Sequence, residues 1–153
     1  SIFARDGDLV PISLVRRERA VEGAPVISAR TAEEVRKMLE SVVSPQGTEP
    51  RAQIMGYRVA GKTGTAHKLE DGGYARDLYI SSFVGFAPVS RPRLIVAVMI
   101  DEPHAGQYYG GAVAAPVFAN VMQDALRILG VPYDAAVKPI ELPPPAAEIR
   151  ESL

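Results

Sequence analysis

Gly56-Tyr57-Arg58-Val59-Ala60-Gly61-Lys62-Thr63-Gly64-Thr65-Ala66-His67 is the stretch on which the fold turns. Its first eight residues fit G-x-x-x-x-G-K-[ST], the spelling of a phosphate-binding loop. Leu94 to Asp101 then resembles the apolar strand that ends in a magnesium-binding aspartate. On spelling alone the chain is a nucleoside triphosphatase. The surroundings oppose that reading. A phosphate loop follows a buried strand and opens a helix, so that free amides and the helix dipole face the phosphates. The preceding segment, Thr48-Glu49-Pro50-Arg51-Ala52-Gln53, is no buried strand. Gly64 would sit in the first turn of the required helix, and no apolar face follows before Gly72-Gly73. Tyr57 to Ala60 is bulky where a phosphate cradle wants small residues. From Gly56 to His67 the chain reads instead as extended and rich in small residues.

An extended Lys62-Thr63-Gly64-Thr65 carries a different chemistry. An acyl-transfer site needs a cation and hydroxyls for a substrate carboxylate, and an amide for the oxyanion. An open strand edge with small side chains supplies all of these. Lys62 brings charge, and Thr63 and Thr65 bring hydroxyls. Gly64 lets a substrate backbone lie against the strand, as in strand addition.

Elements can be placed around this strand. Ser1 to Ala4 reads as the last turn of a helix, and Asp6-Gly7-Asp8 as a turn. Leu9 to Val15, with Pro11 inside, reads as an edge strand or extended loop. A helix is predicted from Thr31. Thr31 and Glu34 form a capping box, and Val35, Met38, Leu39, Val42 and Val43 share a face. Pro45 and Gly47 stop it. Leu69 to Asp77 reads as a turn or flexible loop, and Leu78 to Ala87 as a strand. Leu94 to Ile100 is a near-continuous apolar run that suits a central strand buried on both faces. The connection between these strands is short, so they form an antiparallel pair. A second helix is expected over about 113–129, with Pro116 in its first turn and Gly130 as its cap. The segment from Tyr133, with Pro143-Pro144-Pro145, reads as an extended or disordered tail.

Composition narrows the function classes. Lys and Arg number 17 against 18 Asp and Glu, a net charge of −1, which argues against nucleic acid or anionic lipid as the main partner. There is no cysteine, so disulfides and thiolate metal sites are excluded. His104 and Glu102 mimic a metal pair, but two ligands without a third do not make a site. No metal or cofactor is expected. Asp101 reads as a strand-end cap rather than a catalytic acid.

The longer pattern is where a family shows. In a chain of this length K-[ST]-G arises by chance about one time in ten. The match extends well beyond it, through Gly47-Thr48, Gly56 to Ala66, Phe83-Val84-Gly85-Phe86-Ala87-Pro88, Asp101-Glu102-Pro103, Tyr108-Tyr109-Gly110-Gly111 and Ala115-Pro116-Val117-Phe118. Over residues 1 to about 133 this closely resembles class B penicillin-binding proteins, in particular the division-specific transpeptidase. Lys62-Thr63-Gly64 then corresponds to the third motif of serine transpeptidases and β-lactamases.

The resemblance implies an α/β (α+β) fold of the serine β-lactamase/transpeptidase kind, an antiparallel sheet with flanking helices, present as a C-terminal fragment. Residues 1–132 would be the C-terminal half of the transpeptidase domain and 133–153 the tail. It also implies peptidoglycan cross-linking during septum formation by acyl transfer from D-Ala-D-Ala peptides, with β-lactams as inhibitors. Lys62 would tune charge near the nucleophile, Thr63 and Thr65 would bind the carboxylate, and the Thr65 amide would share the oxyanion hole. Tyr79 could reach the site, Tyr108 and Tyr109 would form an aromatic wall, and Gly110-Gly111 its bend. His67 stands where relatives often carry a basic residue. The implied setting is the bacterial periplasm, with an inner-membrane anchor outside this chain and divisome membrane proteins as partners.

The nucleophile is not here. No serine is followed three places on by lysine, and the one asparagine, Asn120, has Phe118 two residues before it. Neither S-x-x-K nor S-x-N is present, so the chain alone is expected to be inactive. The serine-bearing N-terminal half becomes an expected partner. Uncovered apolar surface makes self-association a further expectation. A non-catalytic structural or interaction module is the remaining alternative.

Overall fold

The computed structural model describes residues 2–19, 21–70, 72–104 and 106–137. In chain order it contains β1 (Asp8–Leu9), β2 (Ala24–Pro25), α1 (Ala29–Val43), β3 (Ala60–Glu70), β4 (Gly73–Ala87), β5 (Leu94–Asp101) and α2 (Gly110–Ile128). Short 3-10 turns occupy Ile2–Arg5 and Pro50–Ala52. β1 and β2 pair antiparallel, while β3, β4 and β5 form an antiparallel meander in that order. The expected three-strand arrangement with a helix on one face is therefore present.

Alternation along β4 makes the core. Phe83 and Ala87 point toward α2, and Phe83 meets Phe118 at a ring-centroid distance of 4.6 Å. Phe118, Met122 and Leu126 recur every four residues, lie on one side of α2 and are fully buried. Each such side chain contributes about 1.5–3 kcal/mol through burial. Gly85 admits the Phe118 ring; a Cβ there would lie 2.8 Å from Phe118 Cζ. On the opposite face Phe86 joins Ala60 and Val89, with Leu39 of α1 and Ala4 packed beside them.

Several expectations change. α1 begins at Ala29, and its cap is Ser28, whose Oγ accepts the Thr31 amide at 3.1 Å. Thr31 is inside the helix, and Glu34 pairs with Arg30 one turn back instead of closing a capping box. Met38 is 65% exposed, so the covered side shifts to Ala32 and Val43, with Leu39 partly buried beside them. Among the described residues β5 is an outer strand rather than a central one, with alternating burial, and Ile95 and Met99 are bare on the face away from α2. The central strand is β4, whose glycine and serines hid its burial. The 69–77 segment belongs to β3 and β4, which continue into a long hairpin. α2 starts at Gly110, so Pro116 lies inside the helix rather than in its first turn.

The end of α2 is as expected. Gly130 has φ 61°, its amide donates to the Arg127 carbonyl, and the Val131 amide donates to Leu126, a Schellman close. The body runs past 132. Tyr133 packs edge-on to Tyr57, and Asp134 accepts the Arg58 and Ser90 amides. The proline-rich segment 138–153 lies outside the described residues.

Candidate functional site

β3 is an outer strand of the meander, and the motif sits in its first half. Lys62 pairs with Val84, Thr63 with Phe83, Gly64 with Ser82 and Thr65 with Ser81. No helix follows Lys62, which lies within a strand that continues to Glu70. The amides of Lys62 to Thr65 therefore cannot converge on a phosphate, and the phosphate-loop alternative fails on geometry.

Lys62 and Thr63 start on opposite faces of the strand. The lysine curls over the edge, so Nζ donates to the Thr63 carbonyl at 3.1 Å and to Thr63 Oγ1 at 3.2 Å. Cation and hydroxyl thus meet at the open edge. Thr65 Oγ1 accepts the Gly110 amide at 3.0 Å. A threonine hydroxyl has one donor hydrogen and two lone pairs. With one lone pair engaged by Gly110, the Thr65 hydroxyl keeps its own hydrogen to donate.

Gly110 is the first residue of α2, and the close approach explains its identity. A Cβ at Gly110 would collide with the carbonyls of Ser82 and Gly64. Gly110 and Gly111 are helical and not a bend. Ser81, fully buried, donates its hydroxyl to the Tyr108 carbonyl. The start of α2 is thereby fixed to β3 and β4 together.

An aromatic ladder continues from Thr65 toward the end of β3. His67 lies 4.6 Å from Tyr79, and Tyr79 stacks on Tyr108 at 4.0 Å with 12° between planes. Tyr109 lies 4.4 Å from Tyr108 and its hydroxyl accepts from Tyr108 at 3.1 Å. His67 Nδ1 meets the Ala75 carbonyl at 3.0 Å, so this nitrogen carries the proton. Past the ladder, Lys68 is clamped by Glu102 and Asp101, which raise its pKa. Glu102 is thus engaged by a lysine.

The structure brings Lys62, Thr63, Gly64, Thr65 and Gly110 into one patch, with Tyr79, Tyr108 and Tyr109 beside it. Sequence reasoning missed Ser81, Glu49 and Arg51. Glu49 is a buried carboxylate behind Gly111, and Arg51 Nη1 donates to the Ala112 carbonyl at 3.4 Å. Ser81 carried only a weak signal, a serine in a strand of aromatic and β-branched residues. Nothing in the sequence marks Glu49, which follows a loop-like Gly-Thr and precedes a proline.

An edge strand bearing lysine, two threonines and a glycine, backed by a long helix, defines one wall of a serine β-lactamase/transpeptidase-like fold. The penicillin binding protein transpeptidase domain matches residues 1–123, and the chain belongs to that family. Among its relatives is the probable peptidoglycan D,D-transpeptidase PenA of Neisseria flavescens, 47% identical over 131 residues that make up 86% of this chain and 33% of that protein. The peptidoglycan D,D-transpeptidase FtsI of Escherichia coli is 42% identical over 125 residues, 82% of this chain and 21% of that protein. The apo transpeptidase domain of Burkholderia pseudomallei penicillin-binding protein 3 superposes with a TM-score of 0.79 at 48% identity, over 88% of this chain and 41% of that one. The chain thus spans a third or less of the length of these two curated relatives.

Proposed function

We propose that these residues form the carboxylate-recognition wall of a peptidoglycan cross-linking D,D-transpeptidase. The observation that carries this is the joint placement of Lys62 Nζ, Thr63 Oγ1 and Thr65 Oγ1 along one strand. In this reading the terminal carboxylate of a D-Ala-D-Ala stem peptide, or of a β-lactam, accepts from Thr63 and Thr65. Lys62 adds positive charge next to the reacting centre, and the Thr65 amide helps bind the oxyanion. Gly64 leaves the strand flat enough for the peptide backbone. Tyr79, Tyr108 and Tyr109 flank the leaving or acyl portion.

The serine and its lysine base come from sequence outside these residues, packed as the first half of the same domain. Residues 2 to about 134 belong to the second half. The parent enzyme works in the periplasm, held to the inner membrane by a segment outside this chain, within the division machinery. The isolated chain forms no covalent adduct with a labelled penicillin, and its uncovered sheet face favours self-association.

Co-expression with a serine-bearing N-terminal half tests the reading. The expected result is restored acylation by labelled penicillin that Lys62→Ala and Thr65→Val abolish. A hydroxylamine-sensitive adduct on the isolated chain sinks the claim of inactivity. Failure of any serine-bearing half to restore acylation points to a non-catalytic module.

A further inference from the structure

Glu49 lies outside the motif strand and has no part in the roles assigned above. It is 94% buried, at 6% relative exposure, in the loop before β3. Its Oε2 packs directly on Gly111, the second residue of α2, so closely that any Cβ at Gly111 would overlap it. Two residues on, Arg51 reaches the same helical turn. Pro116 has no amide to donate to Ala112 four residues back. Arg51 Nη1 takes its place on that carbonyl. The first turn of α2 therefore rests from behind on the Glu49 carboxylate and is bonded by Arg51. In front it presents the Gly110 amide to Thr65 Oγ1.

We infer that Glu49 is a positioning residue for carboxylate recognition, holding the positive end of α2 so that the Gly110 amide fixes the aim of the Thr65 hydroxyl. The inference rests on the transpeptidase reading of Thr65. A carboxylate suits the place, because the exposed amides of a helix start carry partial positive charge. Charged and titratable groups facing it are Arg51 in its own loop, Lys62 from β3, and Tyr108 and Tyr109 along the cleft between that loop and α2. Burial raises the Glu49 pKa above the ordinary 4.5, against the pull of Arg51, its amide and Lys62. Protonation on the acid side then weakens the grip.

The readout is discrimination between benzylpenicillin and its carboxyl methyl ester in the intact enzyme that carries these residues. The Thr65 hydroxyl serves the free carboxylate, so loss of its aim slows acylation by the acid and spares the ester. Glu49→Gln is expected to lower the acid-to-ester ratio of acylation rate constants about tenfold, a charge-assisted contact's worth. It should also flatten the decline of that ratio toward low pH. Arg51→Gln, at an exposed position, should move the ratio the same way by a smaller factor. It keeps the test alive if Glu49→Gln does not fold. Thr65→Val is the control. If Thr65→Val collapses the ratio while Glu49→Gln and Arg51→Gln leave it intact, the positioning role is overturned and the transpeptidase reading stands. Equal losses on acid and ester in the Glu49 variant also overturn it, as damage to the fold alone. If Thr65→Val itself leaves the ratio unchanged, the recognition reading fails and takes this inference with it.

Discussion

The Tyr57 hydroxyl donates to the Val131 carbonyl at 2.6 Å, and the ring is 7% exposed. Removing it with Tyr57→Phe leaves a buried carbonyl unpaired and should lower stability by about 1–2 kcal/mol in denaturant titration. Burial raises the Tyr57 pKa above 10.0. The folded state then holds this proton more tightly than the unfolded chain, so stability falls as pH rises past 10. Tyr57→Phe should lack that part of the alkaline decline. Glu49 obeys the same sign at lower pH. Its carboxyl is raised above 4.5, so its contribution to stability is largest below 4.5 and is lost as pH rises through the folded pKa. Glu49→Gln has no proton to lose. Its stability relative to the unmodified protein should therefore increase between pH 4 and pH 7. A difference that stays flat, measured at both pH values, would remove the burial argument. A residue that costs stability at neutral pH while gripping the site has the signature of a functional position.

Pro116 and Arg51 show how an element tolerates a defect. A proline within a helix removes one hydrogen bond and costs about 3 kcal/mol. Here Arg51 satisfies the carbonyl that Pro116 leaves open, at 3.4 Å. In a double-mutant cycle, Arg51→Ala should destabilise the native protein more than it destabilises Pro116→Ala, where the helix supplies its own bond. A coupling of about 0.5–1 kcal/mol is expected, and additive losses would refute the compensation. Elements of this kind also mark the limit of sequence reading. The existence of α2 was legible from its apolar content and from Gly130 at its end, but its buried face was not, because Val117 and Val121 stand 43% and 49% exposed beside the fully buried Phe118 and Met122. Nor was its start, because Gly110 and Gly111 look like loop residues until the strands beneath them are known. Leu94–Ile100 shows a related limit. A continuous apolar run reports hydrophobicity on both faces, but only topology says whether both faces are covered. The motif strand itself was readable from Lys62 to Thr65. The groups that aim it, Ser81, Glu49 and Gly110, come from three other places in the chain and meet only in the fold.

The two faces of the sheet differ. α2 covers one. On the other, Val84, Ile95 and Met99 stand 47%, 48% and 74% exposed, beside Phe3 at 37%. β3 and β5 are both outer strands among the described residues, so hydrogen-bonding edges remain open as well. Lys62 belongs to this bare face by register, opposite Val84. On the proposed reading, a serine-bearing half shields this surface. Without that half, the apolar patch and open edges favour pairing between copies. The isolated chain should therefore sediment as a dimer or larger species at high concentration. Ile95→Lys together with Met99→Lys should return it toward monomer. Both side chains are about half exposed or more, so the fold should lose little, within about 0.5 kcal/mol for each change. The same pair of lysines should block complementation by a serine-bearing half, since one face serves both contacts. A clean monomer from the unsubstituted chain, or a doubly substituted chain that still restores acylation with its other half, would separate this face from the domain interface.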